Sequence, residues 1–273
     1  MSLFSKIEWT DATWNPVRGC TKISPGCKHC YAERFAERFR GVKGHPFEQG
    51  FDIRLVPHKL GEPLRWSEPR MIFVNSMSDL FHPKVPDEYI GQVFEIMERA
   101  DWHQYQILTK RPERMADWVA KFRSKGVAGH VWLGTSIELE MYLGRLEPLF
   151  RTDAKVKFAS FEPLLGRISG EALRVPLCGL SWAITGGESD LRAPRPADPE
   201  WFREIRDACF AGGVPYHHKQ NGGKGKCACH GAWGCRLLDG KVYDAFPEGS
   251  KAARLATAAV SPGPKTPTLE EFA

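Results

Sequence analysis

From residue 71 onward the chain alternates short apolar, β-prone runs with longer stretches whose apolar residues recur every three or four positions. Met71–Asn75, Tyr105–Leu108, Val131–Gly134, Val156–Ser160 and Leu180–Thr185 read as strands, and Val214–Tyr216 begins another. Between them, Asp87–Ala100 carries Ile90, Val93, Phe94 and Met97 on one helical face. Pro112 opens a helix with the stripe Met115, Trp118, Val119 and Phe122. Glu138–Phe150 reads as a helix and Ile168–Leu173 as a shorter one. The last helix has the fullest signals: Asp198 to cap it, Pro199 in its first turn, Trp201, Ile205, Ala208 and Cys209 as its stripe, and Gly212-Gly213 to stop it. Upstream, Ala12–Val17 is strand-like, and Tyr31–Phe39 is helix-like, with Ala32, Phe35, Ala36 and Phe39 in period. Residues 41–70 show no period and read as an irregular excursion.

Strand–helix alternation repeated about six times predicts an α/β fold with a parallel sheet and helices outside. No glycine-rich dinucleotide fingerprint follows the first strand, so a partial (βα)6 TIM-like barrel is expected rather than a doubly wound sheet. The expected organisation is a barrel over 1–220, a cysteine-rich C-terminal extension over 221–250, and a flexible tail over 251–273, where Pro262, Pro264 and Pro267 fall. A chain of 273 residues with 42% hydrophobic content can bury one large core, which excludes a disordered polymer. No apolar run reaches membrane-spanning length, and MSLFSKIEWTD at the start has no apolar signal core, so a cytoplasmic protein without membrane partners is expected. The formal charge of +5 is mild and compatible with an anionic partner without requiring one.

Cysteine usage changes the picture. The stretch GCTKISPGCKHCY, Gly19 to Tyr31, holds Cys20, Cys27 and Cys30 with spacing C-x6-C-x2-C. In a reducing compartment such clusters are metal ligands rather than disulfides. Three thiolates hold three corners of a four-cornered site and leave the fourth open, as a reactive centre needs; structural zinc takes four protein ligands. The positions just after the strands are polar: Ser76, Ser78, Asp79 and His82; Thr109, Lys110 and Arg111; Thr135 and Ser136; Glu162; Gly186, Gly187, Glu188 and Ser189; and Lys219 and Gln220. A second group, Cys227, Cys229 and Cys235 with His230, is a candidate second metal site for zinc or an auxiliary Fe–S cluster, with His217 or His218 as further candidate ligands. Cys209, on an apolar stripe, and Cys178 read as structural thiols.

These residues resemble the radical S-adenosylmethionine (SAM) enzymes, which place three cysteines in a loop after the first strand of a (βα)6 partial barrel. The closing C-x2-C with a ring-bearing residue, His29, before its last cysteine matches. The six residues between Cys20 and Cys27 depart from the usual C-x3-C-x2-C spacing. WTDATWNPVRGCTKISPGCKHCYAERFAERF is similar to a phage- and bacteria-associated, radical-SAM-like three-cysteine-motif family, distantly akin to spore photoproduct lyase. Blocks like FVNSMSDLFH, LTKRPERM, LGTSIE, FASFEPLLG, TGGES and VPYHHKQNG carry that resemblance through residues 6–247. It implies a [4Fe–4S] cluster on Cys20, Cys27 and Cys30, with SAM chelated at the fourth iron. It implies Ser76, Ser78 and Asp79 near the SAM amino group, and Thr135, Ser136 and Glu162 near its ribose and carboxylate. The adenine would lie near His29 and Gly186, Gly187 and Glu188. An external flavodoxin- or ferredoxin-like electron donor is implied, and nucleic acid or a nucleotide is the leading substrate class, with a methyltransferase-like protein as a candidate partner. The residues alone leave a rival open: a non-enzymatic, zinc-binding module for nucleic-acid interaction, with His82 completing the cysteine loop's ligand set.

Overall fold

The structure, a computed structural model, describes residues 5, 7–189, 193–225, 227 and 234–250. Seven strands form one sheet in the order β1 (Ala12–Trp14), β4 (Met71–Val74), β5 (Gln104–Thr109), β6 (Val131–Ser136), β7 (Lys157–Phe161), β8 (Trp182–Gly186) and β9 (Tyr216–Gln220). Every neighbouring pair is parallel. The crossovers carry α1 (Tyr31–Glu37), α2 (Asp87–Arg99), α3 (Pro112–Phe122), α4 (Leu146–Arg151), α5 (Gly170–Leu173) and α6 (Pro199–Ala211). The expected parallel α/β sheet is present, with a seventh strand beyond a six-unit count.

The helices form where periodicity and end signals agree. In α2, Asp87 and Glu88 stand in the first turn and Arg99 in the last, complementing the helix dipole, while Tyr89, Ile90, Val93, Phe94 and Met97 face the core. In α6, Asp198 Oδ1 accepts from the Glu200 N–H at 2.9 Å and Pro199 takes the first turn. Two expected elements break where the sequence contains breakers. Pro16 ends β1, and Val17–Arg18 becomes β2, paired antiparallel with β3 (Arg54–Leu55). The expected helix over 138–150 is a tight 3-10 segment, Glu140–Arg145, followed by α4; Gly144 and Pro148 interrupt the ladder that a single α-helix would need. The irregular excursion sends Leu55, Leu60, Leu64 and Trp66 against the main core.

The sheet is curled. Residues on one face of β4, β6, β7 and β8, namely Phe73, Trp132, Phe158 and Trp182, form a single cluster with Trp9. The Trp9 ring lies 4.7 Å from Phe73 and 6.2 Å from Trp182. On a flat sheet β4 and β8, four positions apart, would be separated by about 19 Å at the usual strand spacing. One indole reaches both only because the sheet wraps around it, as a partial barrel does. The outer face packs against the helices in the larger core. After β9 the chain returns to this body: Leu238 is buried in the larger core, Tyr243 O accepts from His218 N at 2.8 Å, and Phe246 stacks near Trp182. Among the described residues, no helix is long and apolar enough to cross a membrane.

Candidate functional site

The loop between β2 and α1 carries the three cysteines. Gly19 enters it at φ +82°, and a Cβ there would lie 2.2 Å from the Asp52 carbonyl oxygen, so the close approach to the 51–52 backbone requires glycine. Gly19 N–H donates to Met77 O and Cys20 N–H to Phe51 O, at 3.1 and 3.2 Å. Pro25–Cys27 forms one 3-10 turn, and Cys30 precedes the first residue of α1. All three side chains are free thiols and line one cavity of about 670 Å³ at the C-terminal ends of the strands, where parallel barrels collect their chemistry.

Three carboxylates, one after each of β4, β6 and β8, hold this loop. Asp79 pairs with Arg111 at 2.7 Å and accepts from Thr109 Oγ1 at 2.7 Å. Arg111 in turn donates to Thr21 O at 3.0 Å and to Cys20 Sγ at 3.6 Å, while Thr21 Oγ1 meets His82 Nε2 at 2.8 Å. Glu138, wholly buried, is bound by Arg145 at 2.8 Å and accepts from the Gly26 N–H at 3.4 Å. Glu188 meets His29 Nδ1 at 2.8 Å and is gripped by Arg195 through its guanidinium and backbone N–H. The carboxylates therefore fix the residues beside the cysteines, which line the cavity; among the described residues Cys20 alone receives a guanidinium hydrogen bond.

Electrostatics follow from these contacts. Burial and the nearby Asp79 push the Cys20 thiol up to about 11, against the opposing Arg111. Burial also raises Cys30, although the Ala32 and Glu33 N–H groups at the start of α1 favour its thiolate. Burial would raise Glu188 as well; the Arg195 and His29 hydrogen bonds outweigh it and hold the carboxyl at about 2.

The structure brings most of the expected residues to the same cavity: His29, Ser76, Ser78, Asp79, Ser136, Glu162, Gly187 and Glu188 line it with the cysteines. Asp79 and Glu188 are engaged by protein partners, and Ser78 Oγ donates to Val17 O at 2.8 Å. Glu162 pairs with Lys219 at 2.5 Å across the cavity wall. Thr135 and Gly186 are outside the lining. Thr135 is fully buried and donates to Thr109 O at 2.9 Å, tying β5 to β6. A Cβ on Gly186 would meet the Glu162 carboxyl at 3.0 Å, so its smallness gives that side chain room. Sequence reasoning missed Glu138, Arg145 and Arg195. Glu138 and Glu188 each stand two residues past the end of a strand, β6 and β8, a shared offset that marks both. Of the second cysteine group, Cys229 and His230 lie outside the described residues; Cys227 is disulfide-bonded, which corrects its expected role as a metal ligand, and Cys235 accepts at its carbonyl from the Asn221 N–H at 2.9 Å.

The donor set fits an iron–sulfur cluster. Thiolates are its ligands, each bound to a different iron, so three sulfurs spread around one cavity suit it. A single zinc ion needs its donors to converge within about 2.3 Å of one point. Among the described residues no three His, Cys, Asp or Glu side chains are grouped to hold a single metal ion.

A family model described as "Protein of unknown function (DUF5131)" matches residues 4–247, and the chain belongs to that family. No curated protein matches the chain. Among solved structures, it is similar to a doubly substituted spore photoproduct lyase with bound AdoMet and dinucleoside spore photoproduct, at 15% identity and a TM-score of 0.43, over 72% of this chain and 60% of that one. It is similar to spore photoproduct lyase complexed with dinucleoside spore photoproduct at 15% identity and a TM-score of 0.44, over 71% and 59%. A singly substituted form of the same enzyme gives 14% identity and a TM-score of 0.45, over 72% and 60%. The match therefore spans about three fifths of those chains.

Proposed function

We propose that this DUF5131 member is a radical SAM enzyme, with Cys20, Cys27 and Cys30 as the ligands of a [4Fe–4S] cluster. The observation that carries the proposal is the presentation of three free thiols, from one clamped loop, to a single cavity at the C-terminal ends of a curled parallel sheet. When bound, the cluster and SAM supply reductive cleavage of SAM to a carbon radical that abstracts hydrogen from a substrate, with electrons from an external flavodoxin- or ferredoxin-like donor. The chain's own residues hold and shield that chemistry. Asp79–Arg111, Glu138–Arg145 and Glu188–Arg195 fix the loop against the strand ends. Ser76, Ser136 and Glu162 offer hydroxyl and carboxylate groups on the cavity wall, where the polar groups of SAM require partners. The aromatic layer of Trp9, Phe73, Trp132, Phe158 and Trp182 closes the barrel below and excludes water from the floor.

The test is anaerobic reconstitution with iron and sulfide, followed by dithionite and SAM. The expected results are broad absorption near 400 nm, about four irons per chain and 5′-deoxyadenosine on reduction. Cys27→Ala is expected to lose both the absorption and SAM cleavage. Retained cleavage in Cys27→Ala, or a colourless wild type that takes up only zinc, refutes the proposal.

A further inference from the structure

One face of α1 and the residue that follows it turn rings and guanidiniums toward the cavity. Tyr31, Arg34, Phe35 and Arg38 follow one another at i, i+3, i+4 and i+7, and all four line the cavity that the cysteines face. The opposite face, Ala32 and Ala36, is buried. Tyr31 is 51% exposed and Phe35 44%, although each is held in place. The Tyr31 hydroxyl donates to Ser76 O at 2.5 Å, and Phe35 packs edge-on against Phe39 and Phe47, at 5.2 and 5.6 Å. Exposed rings that are fixed from behind form a platform rather than a piece of core, and stacking on them costs little side-chain freedom.

Charge reinforces the pattern. Residues 19–40 contain five basic side chains, Lys22, Lys28, Arg34, Arg38 and Arg40, against two acidic ones, Glu33 and Glu37. Glu33 is taken up by Lys22 at 2.7 Å and Glu37 by Arg40 at 2.6 Å, so neither neutralises Arg38. The cavity wall here sets the Arg38 guanidinium, which has no acidic partner among the described residues, beside two exposed rings.

We infer that this face of α1 binds single-stranded nucleic acid and feeds one nucleotide of it into the cavity. A strand alternates planar bases with phosphates, and this face sets two rings beside a guanidinium: bases stack on Tyr31 and Phe35, and a phosphate pairs with Arg38. A free mononucleotide would use only one of the two rings. A folded acidic protein would meet the charge but presents no planar faces to two rings set in a cavity wall. The inference names the substrate class for the radical SAM reading and rests on it for chemistry, but the binding needs neither iron nor SAM.

The experiment is fluorescence anisotropy of a 5′-labelled 20-nucleotide oligo-dT with the full chain, free of iron and SAM, across a salt series. Wild type is expected to bind with log K falling linearly in log salt. Arg38→Gln is expected to weaken binding and lower the slope by about one. Phe35→Ala is expected to weaken it by roughly tenfold while leaving the slope unchanged. Both side chains are surface-exposed, and unchanged melting curves exclude misfolding. Absence of binding at low salt, affinities indifferent to both substitutions, or equal affinity for polyglutamate overturns the inference. A protein that binds the oligonucleotide but never assembles a cluster leaves the inference standing and sinks the radical SAM proposal; one that cleaves SAM without binding it does the reverse.

Discussion

Glu138 is the carboxylate whose removal has the most readable consequence. It is wholly buried, its partner Arg145 is 9% exposed, and the two meet at 2.8 Å with Arg145 also donating to Ser136 O at 2.8 Å and lying over the Tyr142 ring. In Glu138→Ala the guanidinium stays buried with no counter-charge, a loss of about 3–5 kcal/mol for a pair of this kind. The Gly26 N–H loses its acceptor as well. At about 2–4 °C per kcal/mol for chains of comparable size, melting should fall by roughly 6–20 °C. Calorimetry on the metal-free protein at pH 7 measures it. Glu138→Gln keeps an acceptor for Gly26 and loses only the charge, so it should fall between. The double variant Glu138→Leu/Arg145→Met removes both charges and should recover much of the loss, giving a coupling energy above about 1 kcal/mol in the double-mutant cycle. A single Ala variant that loses less than about 1 kcal/mol, or a double variant as unstable as the sum of its singles, refutes the clamp as an energetic element.

Two further outcomes follow from the surroundings of the barrel. Burial pushes His217 down to about 3 and His218 down to about 4. Below pH 6.5 the unfolded chain binds protons that the folded one refuses, so stability falls with falling pH, by up to about 1.4 kcal/mol per pH unit for each histidine. His217→Phe keeps a ring beside Trp182 and Phe246 and should flatten the profile between pH 6 and 4 by one histidine's share; urea melts at each pH check it, and an unchanged slope refutes it. In the reconstituted protein, Arg111→Met removes a positive hydrogen-bond donor from Cys20 Sγ and should move the cluster's midpoint potential to more negative values, with Arg111→Lys between; an EPR-monitored redox titration that finds no shift contradicts the contact's role.

The helices α2 and α6, the buried strands and the cysteine loop were legible in the sequence because each depends on neighbours within a few positions. Where two local signals conflict, the sequence misled: apolar spacing over 138–150 argued for one helix, but Gly144 and Pro148 decided the local geometry. The inner wall of the barrel was hidden for a different reason. Trp9, Trp132 and Trp182 carry no period that distinguishes inside from outside when strands are buried on both faces, and only the curl of the sheet brings them together. The clamp was hidden by distance along the chain. Gly26 and Glu138 are 112 residues apart and His29 and Glu188 are 159 apart, so no local pattern links them. Asp79, Glu162 and Glu188 were picked out as polar strand ends, but their engagement by Arg111, Lys219 and Arg195 depends on which strands the topology makes adjacent.

The way the loop is held bears on what it is for. A loop whose only order came from its metal would leave its flanking residues without partners, as in small zinc modules that fold on binding. Here Thr21, Gly26 and His29 are each tied to a different part of the sheet's polar rim, through a hydroxyl and carbonyl, an N–H and a ring nitrogen. None of those ties uses a thiol. The entropy of ordering the loop is met by the barrel through buried or half-buried charge pairs, which keep their strength in a low-dielectric setting. The three cysteines are left lining the cavity, the arrangement that the proposed cluster would use. Three carboxylate–arginine pairs thus order the residues beside the cysteines, so the order of the loop does not depend on a metal.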